Sequence, residues 1–203
     1  MSEWPATAAD SDNEAGGMGQ KYYGKYRGVV LDNADPMQMG RILAMVPDVS
    51  SLLPTSWCMP CVPAAGLQAG MLAVPSIGAG VWIEFEQGDP DYPIWTGCFW
   101  GSAAELPALT HLSPPGLSSL TFQTTLQNGM VINDVPGPAG GIILKSATGA
   151  AIIVNDTGIY LSNGKGATIT LVGPTVAVSN SNGATITLTG PTVAVNVAAL
   201  VVT

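Results

Sequence analysis

Two nearly identical thirteen-residue stretches, GATITLVGPTVAV from Gly166 and GATITLTGPTVAV from Gly183, stand seventeen positions apart and carry no charge. A third register opens at Gly149 with GAAIIVNDTGIYLSNGK. Apolar pairs recur in all three: Ile152/Val154 with Ile159/Leu161, Ile169/Leu171 with Val176/Val178, and Ile186/Leu188 with Val193/Val195. The members of each pair are two residues apart, which puts them on one face of a β-strand. Each unit therefore reads as two short strands joined by a Gly-Pro or Asp-Thr-Gly turn. GMVIND and GIILKSATG, upstream, read as irregular earlier rungs of the same stack.

A fixed period of this length signals a quasi-linear β architecture. Each rung brings only two aliphatic side chains to its apolar edge, too few to form a core alone. A single-chain solenoid of hexapeptide coils has a period near eighteen, which seventeen fits poorly. Three identical chains about one axis bring aliphatics from three directions and pair the strand edges. The twelve paired aliphatics are thus the expected trimer core, and the region 121–203 is expected to be a rod.

The rest of the chain agrees with an all-β class. Val, Ile, Thr and Trp recur in short runs separated by Gly, Pro, Asn or Asp, and charged residues are only 10% of the 203. The formal charge of −8, with only six Lys and Arg, argues against a partner held mainly by phosphates. Four of those cations, Lys21, Lys25, Arg27 and Arg41, fall close enough in sequence to suggest a small basic patch. Residues 1–20 carry acidic residues and no apolar segment, so they read as a flexible solvated tail without an export signal. No run reaches the ~18 apolar residues of a membrane-spanning helix. Synthesis in the cytoplasm follows as the expectation.

Catalytic patterns are thin. WCMPC, Trp57 to Cys61, has the letters of a thioredoxin-type site, but Pro60 and Pro63 leave no helix to activate a thiolate. Cys58, Cys61 and Cys98 are expected to be unpaired thiols in a core. His111 lies alone in the Pro-rich stretch LPALTHLSPPG. Glu84 with Glu86 and Asp89 with Asp91 are pairs that keep one strand face wet, too few for acid/base or metal chemistry. No enzyme, cofactor or metal site is expected.

From Tyr22 to Trp100, short strand-like segments at regular spacing suggest a small barrel. In VWIEFE, Val81, Ile83 and Phe85 alternate with Trp82, Glu84 and Glu86, so one face is core. On the next strand Ile94, Thr96 and Cys98 share a side. The stretch VPSIGAGVWIEFEQGDPDYPIWTGCFWG resembles the closing hairpin of the oligonucleotide/oligosaccharide-binding (OB) barrel in the baseplate assembly protein V family of contractile phage tails. Type VI secretion spikes carry a similar domain. The residues that carry the resemblance are Pro75, Gly78, Gly80, Trp82, Glu84, Gly88, Asp89, Pro93, Trp95 and Gly97. It extends less sharply to GVV at Gly28 and GRI at Gly40.

The resemblance implies an OB-fold barrel over 21–101 and an intertwined trimeric β-helix, a triangular β-prism, over 121–203; between them the prolines and small polar residues of 102–120 read as a linker. It implies a homotrimeric central spike that docks on a baseplate hub protein, passes transiently through a target membrane and assembles into a virion tail or injection particle. Many relatives end in a His-x-His motif that holds iron. NVAALVVT has no histidine, so no tip metal is expected, and a separate PAAR-type tip protein is the expected cap. A trimeric fibre or adhesin that binds a surface receptor is the alternative reading, and a nucleic-acid-binding OB barrel the third.

Overall fold

The computed structural model describes residues 20–50, 52–196 and 199–202, and the expected acidic tail lies outside them except for Gln20. The chain divides into two compact units, 1–101 and 102–203. Among the described residues all regular structure is β-strand apart from short 3-10 turns.

The first unit contains β1 (Tyr26–Asp32), β2 (Leu43–Met45), β3 (Met59–Pro60), β4 (Ala65–Gly66), β5 (Ala69–Gly70), β6 (Gly80–Phe85) and β7 (Pro93–Phe99). Five of them form one sheet in the order β2-β1-β6-β7-β3. A bridge between Ile42 and Cys58 joins the two outer strands and closes the ring. Period-two alternation sends Val81, Ile83 and Phe85 inward, where they meet Val30, Ile42, Ala44, Val46, Cys58 and Trp95. Ile42, Val81 and Ile83 retain 0% of their surface, so this core is complete within one chain. The Trp95 indole N–H donates to the Gly40 carbonyl at 3.1 Å, which satisfies its one polar atom inside the barrel.

The register between β6 and β7 shifts after Trp82/Gly97, so that Ile83 faces Trp95 and Thr96 is the extra residue. This bulge moves Cys98 opposite Val81, off the side that Ile94 and Thr96 share. The expectation of three core thiols fails for two. Cys58 is buried, whereas Cys61, where the chain leaves β3, and Cys98, near the end of β7, are exposed. Burial pushes the Cys58 thiol up to about 11, the opposite of an activated redox thiolate.

The second unit is a meander of ten antiparallel strands, each bonded to its sequence neighbours. They are β8 (Ser119–Gln123), β9 (Gly129–Asn133), β10 (Gly141–Lys145), β11 (Ala150–Asn155), β12 (Gly158–Asn163), β13 (Thr168–Val172), β14 (Thr175–Ser179), β15 (Thr185–Thr189), β16 (Thr192–Val195) and β17 (Leu200–Val202). The β13–β14 and β15–β16 turns place Gly173 and Gly190 at φ +52 and +54 before a proline, a conformation that suits glycine in a tight hairpin. At the opposite strand ends the Asn163 side-chain oxygen accepts from the N–H groups of Lys165 and Ala167. Asn180 does the same for Asn182 and Ala184, so the sequence repeat is also a repeat of turn chemistry.

The linker is more ordered than its prolines suggest. Residues Ala108–Leu112 form a 3-10 turn, and Leu109 buries itself against Val131 and Ile143. Its N–H donates to the Gln123 side chain at 2.9 Å. His111 sits in this turn, exposed.

Candidate trimer interface

The strand register aligns the aliphatics of the second unit into two continuous rows. One runs Leu120, Ile132, Ile142, Val154, Ile159, Leu171, Val176, Leu188, Val193 and ends in register with Val202. The other runs Phe122, Met130, Leu144, Ile152, Leu161, Ile169, Val178, Ile186, Val195 and Leu200. All twelve aliphatics singled out from the repeat lie in these rows. In the first row the six from Leu120 to Leu171 and also Leu188 are left exposed, as is most of the second; Ile152 and Ile186 each keep 44% of their surface.

The backbone of this sheet is paired within its own chain, so what is missing is apolar cover rather than hydrogen-bond partners for the strands. The second row floors a groove of about 680 Å³ whose rim includes Asn163, Asn180 and Asn196. Covering the remaining surface contributes roughly 1 kcal/mol per side chain, or of order 10 kcal/mol per chain before the costs of association.

The reverse face has a different composition. Its central column runs Val131, Ile143, Ile153, Tyr160, Thr170, Ala177, Thr187, Ala194. Near its start it is sealed by Leu109; from β13 to β16 it is Thr, Ser and Ala with Val172, and the sequence has no charged residue beyond Lys165.

The barrel residues that carried the resemblance hold the β6–β7 hairpin and its flanks in place. Pro75 is buried, and its carbonyl accepts from the Asn33 amide at 2.9 Å. The Gly78 N–H donates to Val30, while Gly80 lies under the Phe99 ring with no room for a larger residue. The Trp82 ring lies 4.9 Å from that of Phe99, and the Arg27 guanidinium covers both. Glu84 pairs with Lys25 at 2.9 Å. Gly88 is buried against Tyr23, and its carbonyl accepts from the Tyr22 N–H. Asp89 caps the turn by accepting from the Asp91 N–H and pairs with Lys21 at 3.1 Å; these two contacts hold its carboxyl below the usual range. Pro93 and Trp95 are buried, and Gly97 lies beside the bulge.

These contacts dissolve the anticipated basic patch. Lys21, Lys25 and Arg41 each face a carboxylate, and Arg27 covers two rings. Arg41 grips Asp35 through Nε and Nη2, while Asp35 also accepts the N–H groups of Met37, Met39 and Arg41. These bonds, led by the guanidinium, hold the Asp35 carboxyl far below the usual carboxylate range. Among the described residues no group of three or more His, Cys, Asp or Glu comes together to hold a metal.

A five-strand barrel followed by a sheet that leaves one apolar face uncovered defines a two-unit all-β protein. Residues 26–100 match the type VI secretion system/phage-baseplate injector OB domain, and residues 119–182 match the phage baseplate V C-terminal trimerisation domain. The chain belongs to this family of baseplate spike proteins. The second match is to a trimerisation domain, which supports a homotrimer. No curated protein matches the chain.

The sequence pattern located the rows from β11 to β16 and took GMVIND and GIILKSATG as irregular earlier rungs without singling out their Met130, Ile132, Ile142 and Leu144; it missed Leu120 and Phe122 upstream and Leu200 downstream. The Leu-x-Phe and Met-x-Ile spacing carried the signal, although the loop at 134–140 breaks the seventeen-residue register.

Proposed function

We propose that the chain is the central spike of a contractile injection machine, with the barrel as a collar on the baseplate hub and the trimeric shaft as the element driven through the target envelope. One observation carries this reading: two unbroken apolar rows lie on one face of a paired sheet, opposite a face without charge from β13 onward. Three such sheets, rows inward, make a rod of ten strands at ~4.8 Å spacing, on the order of 45 Å long. A charge at the bilayer centre costs ~2.5–3.5 kcal/mol on insertion scales, and unpaired backbone costs several more. From β13 to β16 the shaft presents neither, so lipid resists that part of it little. Glu86 and Asp91, exposed at the β6–β7 end of the barrel, suit a basic counter-surface on a hub. A separate tip protein of the PAAR type is consistent with the outer edge of β17, which has no strand partner among the described residues. The role is structural, and the particle supplies the force.

The first test is the mass of the purified full chain by light scattering: three times 20.7 kDa is expected, and a stable 20.7 kDa species at micromolar concentration would overturn the reading. The second addresses piercing. A cantilever carrying oriented trimers should break through a supported bilayer at lower force with the natural chain than with Thr170→Lys/Thr187→Lys. Equal forces would separate the trimer from any membrane role.

A further inference from the structure

The barrel carries an arm that its own fold does not use. Between Cys61 and Pro75 the chain leaves the sheet, and β4 and β5 pair only with each other. Every residue from Pro63 to Val74 is exposed, and Leu67 at the tip keeps 96% of its surface. No charged residue occurs between Asp48 and Glu84, so the arm presents only apolar and neutral groups. Its root is fixed: Leu72 lies over Gly40 so closely that a Cβ there would come within 2.7 Å. An isolated two-stranded hairpin is marginal in water, and an exposed leucine at its tip gains nothing from solvent.

Strand direction shows which end of the barrel this is. β3 runs parallel to β7, and both run parallel to β1, because β6 is antiparallel to each of the latter two. The arm after β3, the loop after β1 and the segment leaving β7 therefore share one end. That end exposes Met37, Met39, Ile77 and Trp100, whereas the other carries Glu86, Asp89 and Asp91. The chain leaves for the trimerisation domain from the apolar end. In a trimer each apolar end is joined by its own chain to the shared trimerisation domain, and this tethering raises the effective concentration of the three ends for one another.

We propose that this arm is an inter-subunit clasp: the 63–74 hairpin of one chain lies on the apolar end of a neighbouring copy's barrel, with Leu67 seated among the neighbour's Met37, Met39, Ile77 and Trp100. Unbranched methionines suit such a socket because they repack around an incoming side chain. The arm's lack of charge fits this end and not the acidic one. The inference rests on the trimer reading and adds a second, barrel-level contact to it.

Hydrogen exchange on the intact full chain, combined with its mass, tests the clasp. A trimer in which the amides of Leu67 to Leu72 exchange at least tenfold more slowly than in Leu67→Asp is the expected result. A trimer in which these amides exchange at the same fast rate in both forms overturns the clasp and leaves the trimer standing. A monomer overturns both. A photo-crosslinker placed at position 67 supplies the partner: capture of Met37, Met39 or Trp100 from a different chain is expected. Capture within the same chain, or capture only when other baseplate proteins are added, overturns the assignment.

Discussion

The barrel and the shaft use the same aliphatic residues in strands of similar length, yet one finishes its core within a chain and the other does not. In the barrel, Val81 and Ile83 on β6 lose all their surface because the sheet curls until β2 and β3 meet. In the shaft, Ile152 and Ile186 stand on a sheet that continues strand after strand without closing, and nothing in the chain reaches over them. The barrel sheet bends at the bulge between β6 and β7 and comes round on itself, whereas the hairpins of the second unit add strand after strand to an open meander. The difference assigns folding to the first unit and association to the second.

That division can be broken most directly by placing a charge in the shaft. Leu161→Asp puts a carboxylate in the middle of the second row, where three copies would bring three like charges together. Light scattering should show the trimer lost altogether, while near-ultraviolet circular dichroism of the barrel's tryptophans stays native. Next in size, Ile83→Ala removes a fully buried side chain and should destabilise the barrel by about 2–5 kcal/mol, read from denaturant unfolding, with the trimer mass unchanged. If Ile83→Ala dissociated the trimer, the two units would not be independent.

Acid should separate the regions more gently. The Asp35 carboxyl titrates far lower in the folded barrel than in the unfolded chain, so its contribution is present above the unfolded value of ~3.9 and is lost as pH falls below it. Calorimetry from pH 6 to pH 2 should show the barrel transition moving down, with Asp35→Asn flattening that trend. The shaft from β13 onward has no titratable side chain and should move less. The smallest effect is expected on the reverse face: Thr187→Lys should leave trimer mass intact and change stability by no more than ~0.5 kcal/mol. Dissociation by this variant would mean that the wrong face has been assigned to the interior.

Much of this was legible in the sequence for physical reasons. Period-two pairs such as Ile169/Leu171 and the Gly-Pro turns are local, so the hairpins from β11 to β16 could be read directly. The inward face of VWIEFE was equally plain. What escaped depended on distant contacts. Leu109 looked like part of a Pro-rich connector because its partners, Val131 and Ile143, lie more than twenty residues away. Cys98 was assigned to the wrong side because alternation cannot reveal the extra residue at Thr96. The four cations looked like a patch because their partners, from Asp35 to Asp89, are brought in by the fold. The exposed arm at Leu67 gave no sign of itself, since AAGLQAGM reads equally well as an ordinary loop.

The unbranched meander of the shaft has one more consequence. Each seventeen-residue unit adds two strands, about 10 Å of rod, and begins and ends at the same edge of the sheet. Duplicating or deleting a unit therefore changes length in fixed steps and leaves the barrel untouched. Within this architecture, length is an inheritable dial, set by the number of copies of one short phrase.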